Sequence, residues 1–409
     1  MRILIITTGF PRFKGDLYGK PIYEFSKRMA LKDEITVIAP ADKKAKKKER
    51  VDNINIIRFN YFFPFSMQKL CYGKGGIMSN IRESWVAKLN IPFFMLCFAV
   101  KVFFEARKND IIHANWIATA FIALVGKYLF KKPLILTVRN THLKDYPVKF
   151  ALFVLTRVDH IISPHPDLTN ILKSFGLKNV SEIPNAVDFE NFRFTSPEQK
   201  AAQKIKMNFD GRKIVLFNAR FDDWKNPMGF VDAAATVLKK VPSTKFIMLG
   251  DGIQMSAIKN RIKELGIEQS VTCKGFVTDV YSYTAAADVF VSISKVENIW
   301  SNTIIEAILS GLPCVLSKAG YTEKIFKDNE TAILVNSEKS YETADGIIKI
   351  LKNQEEGKRI SGNAANLLNS LGFSEYEILL KTRKVYLQAK KPKNFLFRKV
   401  GELNSFGSL

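Results

Sequence analysis

Residues Val291–Gly311 read VSISKVENIWSNTIIEAILSG. A β-branched apolar run, Val289–Ile293, enters a polar loop. Helical periodicity then begins near Asn302 or Thr303 and lasts to Leu309. A second apolar run, Pro313–Ser317, follows directly. Strand, helix and strand in so short a space make two parallel strands joined by a helical crossover.

The same alternation extends both ways. Upstream lie candidate strands Ile214–Asn218, Lys245–Leu249 and Ser270–Lys274, with helices Pro227–Lys240 and Met255–Leu265. Downstream come strand Ala332–Val335 and helices Ser340–Leu351, Glu355–Leu371 and Ser374–Ala389. Phe194–Pro197 and the polar stretch EQKAAQKIKMNFDGRK break the pattern. Before the break, strands are expected at Arg2–Thr7, Ile35–Ala39, Asn55–Phe59, Ile111–Ala114, Leu134–Val138, His160–Ser163 and Ser181–Ile183. Helices such as Tyr23–Leu31 and Ile117–Phe130 lie between them. Near-continuous apolar strands belong to parallel sheets covered on both faces. The fold class is therefore α/β: two doubly wound, Rossmann-like domains, residues 1–195 and 196–373, with the terminal helix of 374–409 packing back on the first. Ligands of such sheets bind at the carboxyl ends of the strands, here in the cleft between the domains.

The chain of 409 residues carries 62 Lys+Arg against 39 Asp+Glu, a net charge of +23. Residues 1–195 hold 31 basic and 16 acidic residues, +15, and the last twenty residues add +4. Such an excess implies an anionic partner: nucleic acid, a membrane surface or a phosphorylated substrate. The densest run, Lys43–Arg50 (KKAKKKER), reads as a solvated loop or as a lipid-facing patch. Four scattered cysteines, with no C-x-x-C and no H-E-x-x-H, predict no metal site and suit a reducing cytoplasm. The apolar stretch Ile91–Ala106 is short for a membrane span and contains Lys101. It is either a core helix or a helix lying against a membrane.

Chemistry concentrates in the second half. In FNARFDDWKNP (217–227), Arg220 and Lys225 follow a strand end, where two cations can clamp a diphosphate. Ser301, Asn302 and Thr303 open the next helix, whose free amides and dipole favour an anion. Glu306 lies one turn in, and Glu297 or Asn298 stands in the preceding loop. Carboxylates beside an anion site are costly unless they bind hydroxyls. A nucleotide sugar supplies both phosphates and hydroxyls. SEIPNAVDFENF (181–192) is by itself a loop with turn residues.

Together these segments resemble the retaining GT-B glycosyltransferases of family GT4. IPNAVDFENF is similar to I-P-N-G-V-D-x-x-x-F, and FNARFDDWKNP to a G-R-x-x-x-x-K-N/G loop. SKVENIWSNTIIEAILSGLPCVLS resembles the paired-glutamate motif. FPRFKGDLYGKPIYEFSK resembles F-P-x-x-x-G-x-F-V-x-E-x-A-K, and DIIHANW resembles D-V-I-H-A-H-W. The resemblance implies that Arg220 and Lys225 bind the donor diphosphate and that Glu306 holds the ribose. Ser301, Asn302 and Thr303 would meet phosphate and sugar, and Gly19 would let the first loop approach the donor. The first glutamate of the motif falls at Asn298, with Glu297 one residue earlier, and either can take that role. In LTVRNTH (136–142), Arg139 replaces the family's histidine and could reach a phosphate or acceptor group, with His142 three residues on. His113 would face the cleft and contact the sugar, or else be structural.

The implied reaction moves a hexose or N-acetylhexosamine from a UDP- or GDP-linked donor to an oligosaccharide or lipid-linked acceptor. Configuration is retained and no metal or cofactor takes part. The setting is bacterial surface polysaccharide synthesis at the inner face of the cytoplasmic membrane. Lys43–Arg50, Asn60–Phe65 and the basic tail would meet anionic lipid. The alternatives are a sugar-nucleotide epimerase of the same fold, a nucleic-acid-binding protein, and an inactive scaffold. Nucleic acid loses ground because no RNP or helix-turn-helix pattern occurs. Dinucleotide redox binding loses its G-x-G-x-x-G fingerprint.

Overall fold

Ile3–Ile6, Ile111–Asn115 and Leu134–Thr137 are buried at every position, the pattern of strands covered on both faces. The computed structural model describes residues 1–16, 18–43, 45–72, 76–139, 146–209, 211–296 and 301–390. Their first sheet comprises β1 (Arg2–Ile6), β2 (Glu34–Pro40), β3 (Lys48–Val51), β4 (Ile54–Phe59), β5 (Ile111–Asn115), β6 (Leu134–Thr137), β7 (His160–Ser163) and β8 (Val180–Glu182). The spatial order is β3-β4-β2-β1-β5-β6-β7-β8, parallel throughout except for the antiparallel β3–β4 hairpin. The second sheet comprises β9 (Lys213–Asn218), β10 (Thr244–Leu249), β11 (Val271–Gly275), β12 (Val289–Ser292), β13 (Cys314–Ser317) and β14 (Ile333–Val335). Its order, β11-β10-β9-β12-β13-β14, is wholly parallel. The winding reverses between β1 and β5 in one sheet and between β9 and β12 in the other. The loops after these four strands open at the topological switch points, where such folds hold ligands.

Each sheet has its own apolar core. The final helix, Glu375–Lys390, buries Ile378, Val385 and Tyr386 in the core of the first sheet, beside Ile3, Ile5 and Phe10. The segment Ile183–Val187 straddles the two halves. Ile183 and Ala186 join that core, whereas Val187 joins the core beneath the second sheet.

Three expectations change. The polar stretch after Phe194–Pro197 is a helix, Pro197–Lys206, started by a capping box between Ser196 and Gln199. Part of the basic run, expected as a solvated loop, is the edge strand β3, whose Lys48 and Arg50 point a charged edge at solvent. The apolar helix begins earlier than expected, at Trp85, with Ser84 accepting from the Ala87 amide, and it runs 22 residues to Ala106. By length and composition it could cross a membrane. Here Phe94, Phe98 and Val102 bury one side of it in the core of the first sheet.

Candidate active site

β1 ends in a loop braced by Thr7, whose hydroxyl donates to the Gly9 carbonyl. The loop closes at Gly19, where φ is +74° and a Cβ would stand 2.5 Å from the Gly9 carbonyl oxygen. Only glycine fits there. The helix Lys20–Met29 starts at once. The Lys20 ammonium lies 3.8 Å from Asp188 and 5.6 Å from the centre of the Phe192 ring. Asp188 is fixed by the Asn191 amide and side chain, at 3.2 and 2.7 Å.

Glu306 reaches the same place from the second domain. Burial pushes its carboxyl up to about 7, with Asp188 and Glu24 adding to the rise and Lys20 opposing it. Glu24, one turn after Lys20, is likewise pushed up to about 7 by burial and by Asp188, against the pull of Lys20, Lys27 and Arg28. One of its carboxylate oxygens is buried with no hydrogen-bond partner. Charges from the two domains thus act on one another here, with Lys20, Asp188 and Glu24 all bearing on Glu306.

On the second sheet, Arg220 follows β9 and leaves its side chain 60% exposed, its guanidinium 3.2 Å from Asp222. Its guanidinium carbon lies 5.5 Å from the Trp224 ring centre, and the Lys225 ammonium lies 4.2 Å from the same ring. One indole therefore carries both cations. The loop after β12 is tied to this one: the Lys295 amide donates to the Trp224 carbonyl, and its ammonium donates to Asp223, both at 2.8 Å. Ser301 precedes the helix Asn302–Leu309 without a side-chain cap, and its hydroxyl bonds Thr303 instead, at 3.0 Å. Among the described residues no side chain caps this helix start, whose amides and dipole favour an anion. Glu297 and Asn298 lie outside the described residues, as does His142.

His113 does not face the cleft. It is 1% exposed, and both ring nitrogens are engaged, Nδ1 with the Tyr386 hydroxyl at 2.6 Å and Nε2 with Thr137 at 2.7 Å. Burial lowers its pKa to about 3 and keeps it neutral. The structural alternative holds: this histidine pins the terminal helix to the first sheet. Arg139 joins β5 to the loop after β8, donating to Asn115 at 2.7 Å and to Asn185 at 2.5 Å. Burial lowers its pKa to about 10, so it stays charged at neutral pH. Glu24 and Asp188 were missed as site residues, although both stand in the quoted segments FPRFKGDLYGKPIYEFSK and IPNAVDFENF. Lys20 was missed with them.

Two facing α/β domains, with a cation pair and a helix start at the switch point of the second, are the architecture of a GT-B glycosyltransferase. The profile of glycosyl transferases group 1 matches residues 198–367, and that of glycosyltransferase family 4 matches residues 21–191. The chain belongs to this family of glycosyltransferases. It is 28% identical over 62% of its length to a 2-deoxystreptamine N-acetyl-D-glucosaminyltransferase of Niallia circulans, covering 71% of that protein. It is 26% identical over 66% of its length to the alpha-monoglucosyldiacylglycerol synthase of Streptococcus pneumoniae, covering 68% of that protein. In fold it resembles the crystal structure of Anabaena HepE in complex with UDP, at a TM-score of 0.72 and 19% identity, over 95% of this chain and 100% of that one.

Proposed function

We propose that this enzyme transfers a hexose or N-acetylhexosamine, with retention, from a nucleoside-diphosphate sugar to a lipid-linked glycan or glycolipid acceptor in bacterial surface polysaccharide synthesis. The observation that carries the reading is the cluster of Arg220 and Lys225 at the Trp224 ring, tied through Lys295 to the loop that precedes the Asn302–Leu309 helix. The acceptor oxygen bonds to the anomeric carbon while the bond from that carbon to the diphosphate breaks. The acceptor hydroxyl's proton passes to the departing phosphate. Arg220, Lys225 and the helix amides meet the charge that develops there, and the reading needs no metal. Glu306 accepts from ribose hydroxyls. The relatives support the setting: one is named for a diacylglycerol glycolipid, and one from Campylobacter jejuni for a diphospho-undecaprenol acceptor. Work at the inner face of the cytoplasmic membrane follows from such acceptors.

Thermal shifts with UDP, GDP and ADP identify the base, and release of that diphosphate from its sugar donor reports turnover. Arg220→Ala should lower turnover at least tenfold, about 1.4 kcal/mol of transition-state stabilisation. EDTA should leave the rate unchanged. A folded variant with the parent rate would overturn the diphosphate clamp.

A further inference from the structure

The helix Trp85–Ala106 is apolar on both sides. Its inner side carries Phe94, Phe98 and Val102 in the core of the first sheet. Its outer side presents Trp85, Leu89, Phe93, Leu96, Val100 and Phe104, all exposed. The steps of four, four, three, four and four residues keep these six on one stripe along the whole helix. At about 1.5 Å per residue the stripe is roughly 28 Å long. Only 28% of the helix's most apolar window is buried. A water-facing helix puts polar residues on that side.

The surroundings say what covers the stripe. Phe62 packs edge-on against Phe93, ring centres 5.1 Å apart, and the next residue, Phe63, is 91% exposed. Lys47 and Lys101 share a surface depression with Leu96 and Val100. Lys46 and Lys48 are exposed beside Lys47, and Lys88 adds a further exposed cation on the helix itself. The helix's glutamate, Glu105, is paired with Lys108 at 2.9 Å. A long apolar stripe with an exposed aromatic tip and a lysine rim matches a leaflet with anionic headgroups.

We infer that the outer face of the Trp85–Ala106 helix, with Phe62–Phe63 and the lysines of the β3 edge, docks the enzyme on an anionic lipid leaflet, the helix lying in the membrane plane. The connection orients the molecule. The chain leaves β4 at the carboxyl edge of the sheet, passes a short turn at Phe65–Met67 and the helix Gly76–Glu83, and then runs through Trp85–Ala106 back to the start of β5 at the opposite edge. Trp85 and Phe63 therefore lie toward the edge that lines the cleft. Docking there sets the cleft mouth beside the leaflet and its lipid-linked acceptor. The purpose of this surface rests on the acceptor proposed above. The surface itself stands on the stripe and its rim.

The test is flotation of the full chain with vesicles of phosphatidylglycerol and phosphatidylethanolamine, against phosphatidylcholine alone. The parent protein should float with the anionic vesicles. The Leu96→Gln, Val100→Gln double variant alters two exposed side chains and should lose at least tenfold in partitioning. Its thermal shift by nucleoside diphosphate should match the parent's, which shows that the fold and donor site are intact. A nucleotide shift absent from both proteins would count against the transferase reading and leave the flotation result standing. Equal flotation of parent and variant would overturn the docking surface. So would a parent that is dimeric without lipid and becomes monomeric in the variant, since a second copy would then cover the stripe.

Discussion

Glu24→Gln should stabilise the protein at pH 8 and leave it almost unchanged at pH 4. Glu24 is only 5% exposed, and one of its oxygens is buried without a hydrogen-bond partner. Its carboxyl is pushed from 4.5 up to about 7, chiefly by burial and then by Asp188, while Lys20, Lys27 and Arg28 hold it down. Between those two values the folded protein keeps a proton that the unfolded chain has released. Stability then falls as pH rises through that window and levels off above about 7. At about 1.4 kcal/mol per pH decade, the whole window is worth roughly 3 kcal/mol. Glu306 competes for the same ammonium, so about 1–3 kcal/mol is the expected gain for the amide, which carries no charge to bury. Urea unfolding at pH 4, 6 and 8, followed by tryptophan fluorescence, measures it. The gain should grow from pH 4 to about 7 and then hold steady. A variant less stable than the parent at pH 8 would refute the reasoning, because it would mean that the carboxylate is held as an anion by its cations. A gain that ignores pH would refute it equally.

Glu306 extends the argument to catalysis. Its carboxyl is also pushed up to about 7, so its hydroxyl-accepting form builds up as pH rises through neutrality. kcat/KM should therefore rise several-fold from pH 6 to pH 8, and Glu306→Gln should flatten that rise as well as lower the rate. Tyr386→Phe removes the phenol that holds His113 Nδ1 at 2.6 Å. With a buried imidazole left short of a partner, it should cost about 1–3 kcal/mol. Thermal unfolding should show the loss, limited proteolysis should cut sooner near the terminal helix, and nucleotide binding should be unchanged.

How far the sequence could be read depended on where each signal was stored. Strands such as Leu134–Thr137 and Val289–Ser292 carry theirs locally, as unbroken apolar runs, and were placed within a residue or so. The helix Pro197–Lys206 has no buried residue, so periodicity could not reveal it. Its capping box, Ser196 with Gln199, was the readable sign. β3 hid in a basic run because edge strands are kept charged against stray pairing. At the site, Arg220, Lys225 and the Ser301–Thr303 helix start lie where strand ends and helix starts predicted. His113 was placed correctly at a strand end, yet its direction is set by Tyr386, 273 residues further on. No local pattern holds that information.

Glu24 and Asp188 are hidden from the sequence for the same physical cause. Each is ordinary in its own stretch: a glutamate inside a helix, an aspartate in a turn. They become unusual only when the first domain brings Lys20 and Glu24, the connecting loop brings Asp188, and the second domain brings Glu306. Gathering these carboxylates around one ammonium costs stability, since Asp188 raises the proton affinity of Glu24 and Glu306 and burial raises it further. A fold keeps such an arrangement where function requires it. Arg220, Lys225 and the helix amides suit phosphate, which carboxylates beside it would repel. Carboxylates do suit hydroxyls, which can donate to every one of them. On the proposed function, the two groups of residues would divide a nucleotide sugar between them, the cations taking the diphosphate and the acids its sugar hydroxyls. Because the acids come from both domains, a donor bound in that way would lower the cost of holding the domains together, and an empty cleft would bear it in full.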